Sequence, residues 1–351
     1  AISDGRQFIR KPAWGLPVGA GDYSTADFNG DGLTDIAKYD RSAGKVKVAY
    51  STGNGFGEIA ELPLTLSLRL SHNQIQVGEW NGDGLPDLSI LDPVSGDVEM
   101  AFSSGAAPDL LMAINNGVGG ITTIKYLPST RLDNTFLPLI MQVVAESTSS
   151  DGMGNAYKTI YRYEDGLFDA ASREFRGFGH VEARDAANTV NRTDFYQDSK
   201  LKGRVSQTAI YDASGNLWTK TENTWGCEEA YPASGSYFTR LTQMDGYTYS
   251  GDATFKQMRI RYEHDAFGNI TNIIEMGDVT TAADDRSASR SFAINTNEWI
   301  LDKPVLVQQY DATHRLMAQE RFFYDGSSAL NALPTKGNTT RAEHCVNLPA
   351  E

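Results

Sequence analysis

The sequence predicts an all-β protein, and three observations carry that prediction. A β-type unit is duplicated at an offset of 52 residues, turn residues recur through the rest of the chain between alternating runs, and no stretch beyond about ten residues keeps a helical period with helix-forming residues. The duplication is clearest at Asp27-Phe28-Asn29-Gly30-Asp31-Gly32-Leu33-Thr34-Asp35, which returns as Glu79-Trp80-Asn81-Gly82-Asp83-Gly84-Leu85-Pro86-Asp87. At the same offset Tyr39-Asp40, Gly44, Val46, Val48, Tyr50 and Gly53 align with Leu91-Asp92, Gly96, Val98, Met100, Phe102 and Gly105, so a whole unit is copied and not a loop alone. Periods of roughly 40 to 50 residues are those of propeller blades. Residues 1–105 are therefore expected to form two blades of a β-propeller, and residues 106–351 a region of long antiparallel strands.

The repeated loop has chemistry of its own. Oxygen side chains at relative positions 1, 3, 5 and 9, glycine at 6 and a carbonyl at 7 follow the first part of a calcium-binding loop. The candidate ligands are Asp27, Asn29, Asp31, Leu33 (through its carbonyl) and Asp35 in the first copy, and Glu79, Asn81, Asp83, Leu85 (carbonyl) and Asp87 in the second. An EF-hand would add a bidentate Glu at position 12 between helices. Lys38 and Ile90 stand there instead, within strand-like segments. The loop resembles the calcium loop of FG-GAP (VCBS-type) repeats, the blades of integrin-type propellers. The competing reading is that Asp and Asn make Asx turns there with no ion. In the second copy Glu79 replaces the first Asp, a longer side chain that costs more entropy to fix.

A net charge of −14 and a pI near 4.8 argue against nucleic acid or an anionic membrane as the main partner, since either would repel such a surface. Cys227 and Cys345 set no disulfide framework. No apolar run approaches a membrane span, and Ala1-Ile2-Ser3-Asp4 is neither a start methionine nor a signal peptide. Because a propeller needs at least four blades, a chain with two is expected to begin inside a larger protein.

Beyond Gly105 the 52-residue period stops and hairpin signals follow one another. They are Asn116-Gly117, Ser150-Asp151-Gly152, Glu164-Asp165-Gly166, Ser214-Gly215-Asn216, Phe267-Gly268-Asn269 and Tyr324-Asp325-Gly326. Alternating runs such as Gln257-Met258-Arg259-Ile260-Arg261-Tyr262 flank them. Two turns share a form in which an aromatic strand end leads into Asp and then Gly-Asn: Tyr211-Asp212-Ala213-Ser214-Gly215-Asn216 and Tyr262-Glu263-His264-Asp265-Ala266-Phe267-Gly268-Asn269. Tyr310-Asp311-Ala312-Thr313-His314-Arg315 is a third copy without the glycine.

These Tyr-Asp turns resemble the YD repeats of Rhs proteins. Met112 to Gly120, Tyr126 to Thr130, and Arg173-Glu174-Phe175-Arg176-Gly177-Phe178-Gly179 resemble the middle of the B component of Tc insecticidal toxin complexes and the SpvB-like virulence proteins. The resemblance spans nearly the whole chain. It implies a secreted or extracellular bacterial toxin carrier, in which a propeller docks onto a channel and Rhs strands spiral into a shell around a C-terminal effector polypeptide. The partners it implies are other toxin-complex subunits and that enclosed effector, with no direct membrane insertion. The family's self-cleaving protease motif is absent from these residues, so no catalytic residue is carried over.

The residues themselves give no catalytic constellation: no G-x-S-x-G, H-E-x-x-H or P-loop pattern is present. His72, His180, His264, His314 and His344 lack ligand spacing and are expected at the surface or in turns. Arg173, Glu174 and Arg176 are expected in an interstrand charge ladder, and Trp14, Trp80, Trp218, Trp225 and Trp299 in sheet packing. The expectation is a non-enzymatic shell and docking segment that binds calcium. The alternative is an extracellular integrin-like adhesin or carbohydrate-binding propeller.

Overall fold

The computed structural model describes residues 2–3, 8–9, 22–40, 42–62, 74–103, 107, 110–229 and 235–345. His72, Trp14 and Gly105 lie outside the described residues. The chain divides into two compact units, residues 1–157 and 158–351, so the change of sequence texture at 105/106 falls within the first. Strand makes up 59% of the described residues and helix about 1%, which bears out the all-β expectation.

In the first unit β1 (Ile2–Ser3) pairs with β2 (Phe8–Ile9). A four-stranded antiparallel sheet follows: β3 (Asp22–Ala26), β4 (Asp35–Asp40), β5 (Lys45–Ser51) and β6 (Phe56–Glu61). The repeat then rebuilds a smaller sheet from β7 (Gln74–Gly78), β8 (Asp87–Leu91) and β9 (Val98–Ala101). Strict alternation explains the packing: Ala37 and Tyr39 on β4 and Val46 and Val48 on β5 point inward, and they meet Leu88 and Ile90 of the second copy in one dry core. The two copies thus bury their apolar faces together, as repeats that cannot close a core alone must. Both sheets are open. The unit ends with β10 (Ala113–Asn115), β11 (Ile121–Pro128) and β12 (Gln142–Ser150), with β11 antiparallel to both its neighbours and a 3-10 turn at Ser129–Arg131.

The second unit is an antiparallel meander in sequence order. Its strands are β13 (Ala156–Asp169), β14 (Glu174–Arg184), β15 (Val190–Phe195), β16 (Val205–Tyr211), β17 (Leu217–Glu229), β18 (Tyr237–Tyr249), β19 (Phe255–His264), β20 (Ile270–Asp278), β21 (Arg286–Asn295), β22 (Ile300–Tyr310), β23 (Leu316–Tyr324) and β24 (Thr339–Cys345). Its apolar core is small: Ala293, Val305 and Tyr324 form one cluster, with Leu306, Phe322 and Leu330 against it. Much of the remaining cohesion is backbone ladder and polar cross-strand rungs. At one of them burial pushes the Asp245 carboxyl up, but bonds from Arg259 Nε (2.7 Å), Gln257 Nε2 (2.9 Å) and Gln243 Nε2 (2.6 Å) more than offset it and hold it below the ordinary value.

Two expected hairpins are corrected. Glu164-Asp165-Gly166 is no turn, because β13 runs through it; Asp165 takes φ 55° and the register against β14 shifts between Gly166 and Phe168. The real hairpin lies at 170–173, where Asp169 Oδ1 accepts from Ala171 N (2.9 Å). Tyr324-Asp325-Gly326 opens a long ordered loop to β24. Asp325 closes that loop by accepting from Thr335 N, Lys336 N, Gly337 N and Asn338 N, at 2.7 to 3.2 Å. A carboxylate satisfied by four backbone donors can stand in for a tight turn.

Candidate functional site

The repeated loops join β3 to β4 and β7 to β8, and their hydrogen bonds recur at the 52-residue offset. Asp35 Oδ2 accepts from Phe28 N (2.8 Å) and Oδ1 from Ser51 N (2.7 Å); Asp87 does the same with Trp80 N (2.9 Å) and Ser103 N (2.8 Å). Both carboxylates are fully buried. Asn29 Oδ1 accepts from Asp31 N (3.1 Å) and Asp31 Oδ1 from Leu33 N (2.8 Å), matched by Asn81 with Asp83 N (2.9 Å) and Asp83 with Leu85 N (2.8 Å). Glycine at Gly30, Gly32, Gly82 and Gly84 supplies the left-handed φ of 74° to 83° that these turns need.

The copies part at position 1. Asp27 uses both oxygens, taking Gly30 N (2.7 Å) and Asp31 N (3.1 Å) on one and Gly32 N (2.7 Å) on the other. Glu79 uses one oxygen, taking Asp83 N (2.7 Å) and Gly84 N (3.4 Å). The first loop lies open, with Leu33 37% exposed. The second is covered, with Leu85 8% exposed, Thr130 Oγ1 donating to Gly82 O and Gln142 Nε2 to Asp83 O (2.7 Å).

The donor set in both loops is hard oxygen, the chemistry calcium takes, and a carboxylate oxygen that accepts one N–H keeps a lone pair. Among the described residues no three Asp, Glu, His or Cys side chains converge to hold a metal ion. The loops are closed by their own N–H donors.

In the second region the Tyr-Asp turns share one architecture. Asp212 N donates to Asn216 O (2.9 Å), Asp212 Oδ1 accepts from Ser214 N and Asn216 N (both 2.8 Å), and Asn216 Nδ2 donates to Oδ2 (3.0 Å). Asp265 repeats this with Phe267 N (2.9 Å) and Asn269 N (2.9 Å), and Asp311 with Thr313 N (2.9 Å) and Arg315 N (3.0 Å). The fourth residue takes positive φ: Gly215 84°, Gly268 91° and, in the copy without glycine, His314 67°, its ring stacked on Tyr310 at 5.1 Å. Two turns read from the sequence only as hairpins, Asn116 to Gly120 and Asp151 to Asn155, belong to the same set, and sequence reasoning missed a third, Asp185 to Thr189, with Asn188 at 64°. Their signal is Asp or Asn at position 1 and Gly, Asn or His at position 4. The hydrogen bonds hold three of these carboxyls below their ordinary value: Asn155 at Asp151, Asn216 at Asp212 and the Arg315 amide at Asp311 come first among the causes.

The remaining candidates fall into ladders. Arg176 pairs with Asp169 and donates to Gln197 O (3.1 Å), while Glu174 pairs with Lys202 (2.5 Å); Arg173 sits in the hairpin at φ 53°. His180, read as unpaired in the sequence, is bracketed by carboxylates: Nδ1 lies 2.6 Å from Asp194 and Nε2 3.3 Å from Asp165. His344 meets Glu320 at 3.1 Å, and burial, then Arg240, push the His264 ring down. Trp225 Nε1 donates to Val205 O (2.9 Å) under Arg204, but Trp80, Trp218 and Trp299 stand 47%, 54% and 75% exposed, so the sheet-packing expectation fails for them. Cys227 and Cys345 are half-buried, with no disulfide between them.

Comparison with known proteins gives the architecture a context. Residues 49–209, just under half of the chain, match the family described as the insecticide toxin TcdB middle/N-terminal region. A Tc holotoxin pore of Photorhabdus luminescens superposes with TM-score 0.74 at 16% identity, over 92% of this chain and 22% of that one. Crystal structures of TcdB2-TccC3 and of TcdB2-TccC3-Cdc42 superpose with TM-score 0.72 at 17% and 16% identity, over the same shares. No curated protein matches. The fold is therefore one that Tc toxin chains contain, and this chain spans about a fifth of their length. Residues 49–209 thus resemble the middle region of a Tc toxin B component, and the fold resembles part of Tc toxin chains.

Proposed function

We propose that this chain is a non-enzymatic structural segment of an Rhs/Tc-type toxin carrier. Its FG-GAP-like repeats would serve as propeller blades for docking, and its long Rhs-type strands as part of a shell around a C-terminal effector. The observation that carries the reading is the meander of the second unit: twelve successive antiparallel strands with a small apolar core and repeated carboxylate-locked turns, in a fold found within Tc toxin chains. A sheet of this kind encloses space by extension and not by packing on itself. Other toxin-complex subunits and the effector are the proposed partners, and secretion from a bacterium the proposed setting.

The non-enzymatic reading has geometric support. His180 Nδ1 lies 2.6 Å from Asp194 and Nε2 3.3 Å from Asp165, so carboxylates face both ring nitrogens, whereas a general base needs one nitrogen facing the reacting proton. Deleting the segment from its parent protein should stop effector delivery, while His180→Gln, His264→Gln and Glu174→Gln should leave delivery largely intact. Loss of toxicity in one of them, with assembly normal, would sink the reading. Calcium at Asp27, Asn29, Asp31, the Leu33 carbonyl and Asp35, and at the matching second-loop positions, is part of the proposal; the hard-oxygen donor set supports it.

A further inference from the structure

One face of β20 to β23 carries a groove of about 560 Å³, large enough for a small ligand or a few residues of an extended chain. Its floor is Ala288 on β21, and Arg286 and Arg290 flank it two residues away on either side, on the same face of the strand. Four residues of strand separate the two arginines by about 13 Å, so two long side chains leaning inward can close on one ligand over the small alanine. Gln309 lies directly across from Ala288 on β22, and Glu275 directly across from Arg286 on β20.

The unusual feature is Arg290. It is half-buried, yet among the described residues neither Arg290 nor Arg286 has a hydrogen bond or ion pair. Elsewhere in the unit half-buried guanidiniums are taken: Arg176 by Asp169, Arg192 by Asp194 and Arg259 by Asp245. In a chain with 45 acidic against 31 basic residues, carboxylates were available for pairing. A partly desolvated guanidinium without a partner is costly, and its fork matches a carboxylate in bidentate geometry.

We propose that this groove is a binding site for a carboxylate-bearing ligand, clamped between Arg286 and Arg290 over Ala288. Glu275 and Asp311, at the Arg286 end of the groove, direct a donor group of the ligand there, so the matching chemistry is a carboxylate with N–H donors nearby. A free amino acid and an acidic side chain on a polypeptide both offer that chemistry.

The test is calorimetric titration of the full 351-residue chain with L-glutamate and, separately, with a blocked Glu-Ala-Glu-Ala-Glu pentapeptide. Saturable binding of at least one probe is expected, weakening with added salt. Arg290→Gln should lower its affinity about 10-fold or more, while Arg290→Lys should retain part of it. Ala288→Leu, which fills the floor and leaves every charge in place, should also abolish binding, and it decides the matter if Arg290→Gln fails to fold. Binding of the peptide alone would assign a polypeptide ligand, and binding of glutamate a small one. No binding of either probe at about 10 mM, or affinity unchanged in both Arg290→Gln and Ala288→Leu, would overturn the proposal.

Discussion

The loops at 27–35 and 79–87 are built from the same hydrogen bonds at the same offset, yet one faces water and the other is covered by Thr130 and Gln142. The shared part is what a β-turn of this shape needs: a buried Asp at position 9 that gathers two backbone N–H groups, and glycines where φ is positive. The divergent part is position 1. Asp27, in the open loop, spends both oxygens on the loop; Glu79, in the covered loop, spends one. A loop held from outside by two donors to its carbonyls can tolerate a weaker internal clasp. The duplicated segment has thus kept its frame in both copies, while the second serves also as a joint within the first unit.

The largest effect should come from the shared frame. Asp35→Ala or Asp87→Ala strands two buried N–H groups, and each should cost roughly 2–5 kcal/mol by denaturant unfolding. A large cost at only one site would show that the loops are not equivalent frames. Next, Thr130→Ala combined with Gln142→Ala should cost about 1–3 kcal/mol and raise amide exchange at Gly82 to Gly84, leaving Gly30 to Gly32 unchanged.

Calcium should sharpen the contrast further. Chelation should lower the melting temperature and calcium restore it, with Asp31→Ala removing more of the response than Asp83→Ala and magnesium substituting poorly. Melting indifferent to chelator would remove the ion from both loops.

Acid should loosen a different set of turns. The four N–H donors to Asp325, Lys336 N foremost, lower its pKa from 3.8 to about 2, and Asp151, Asp212 and Asp311 shift the same way. A depressed carboxyl stabilises the fold above its unfolded value and loses that contribution as pH falls through the folded one. The turns at these four residues should therefore loosen between about pH 4 and pH 2, seen as faster amide exchange at Asn216 and Arg315. The smallest effect should be that of Glu79→Asp, which restores the shorter clasp and should change stability by about 0.5 kcal/mol or less.

Much of this was legible in the chain. The offset between Asp27 and Glu79, the alternation of Ala37 and Tyr39 with polar neighbours, and Asp followed by Gly-Asn at Asp212 and Asp265 are local patterns, and local sterics turn them into a loop, a half-buried strand and a locked hairpin. The Asp185 member was hidden because Asn188 replaces the expected glycine, and Glu164-Asp165-Gly166 misled because a turn-like triplet across from Gly177 makes a strand irregularity as readily as a turn.

What the sequence determined by itself was where the chain turns and which face of each strand is apolar, since these depend on residues a few positions apart. The tertiary structure alone decided that Ser51 N would complete Asp35, that Asp194 and Asp165 would bracket His180, that Gln142 would cover the second loop, and that Arg290 would have no carboxylate across from it. Each of these depends on strand register, set by the pairing of whole hairpins, and a one-residue slip would send every such side chain to the other face.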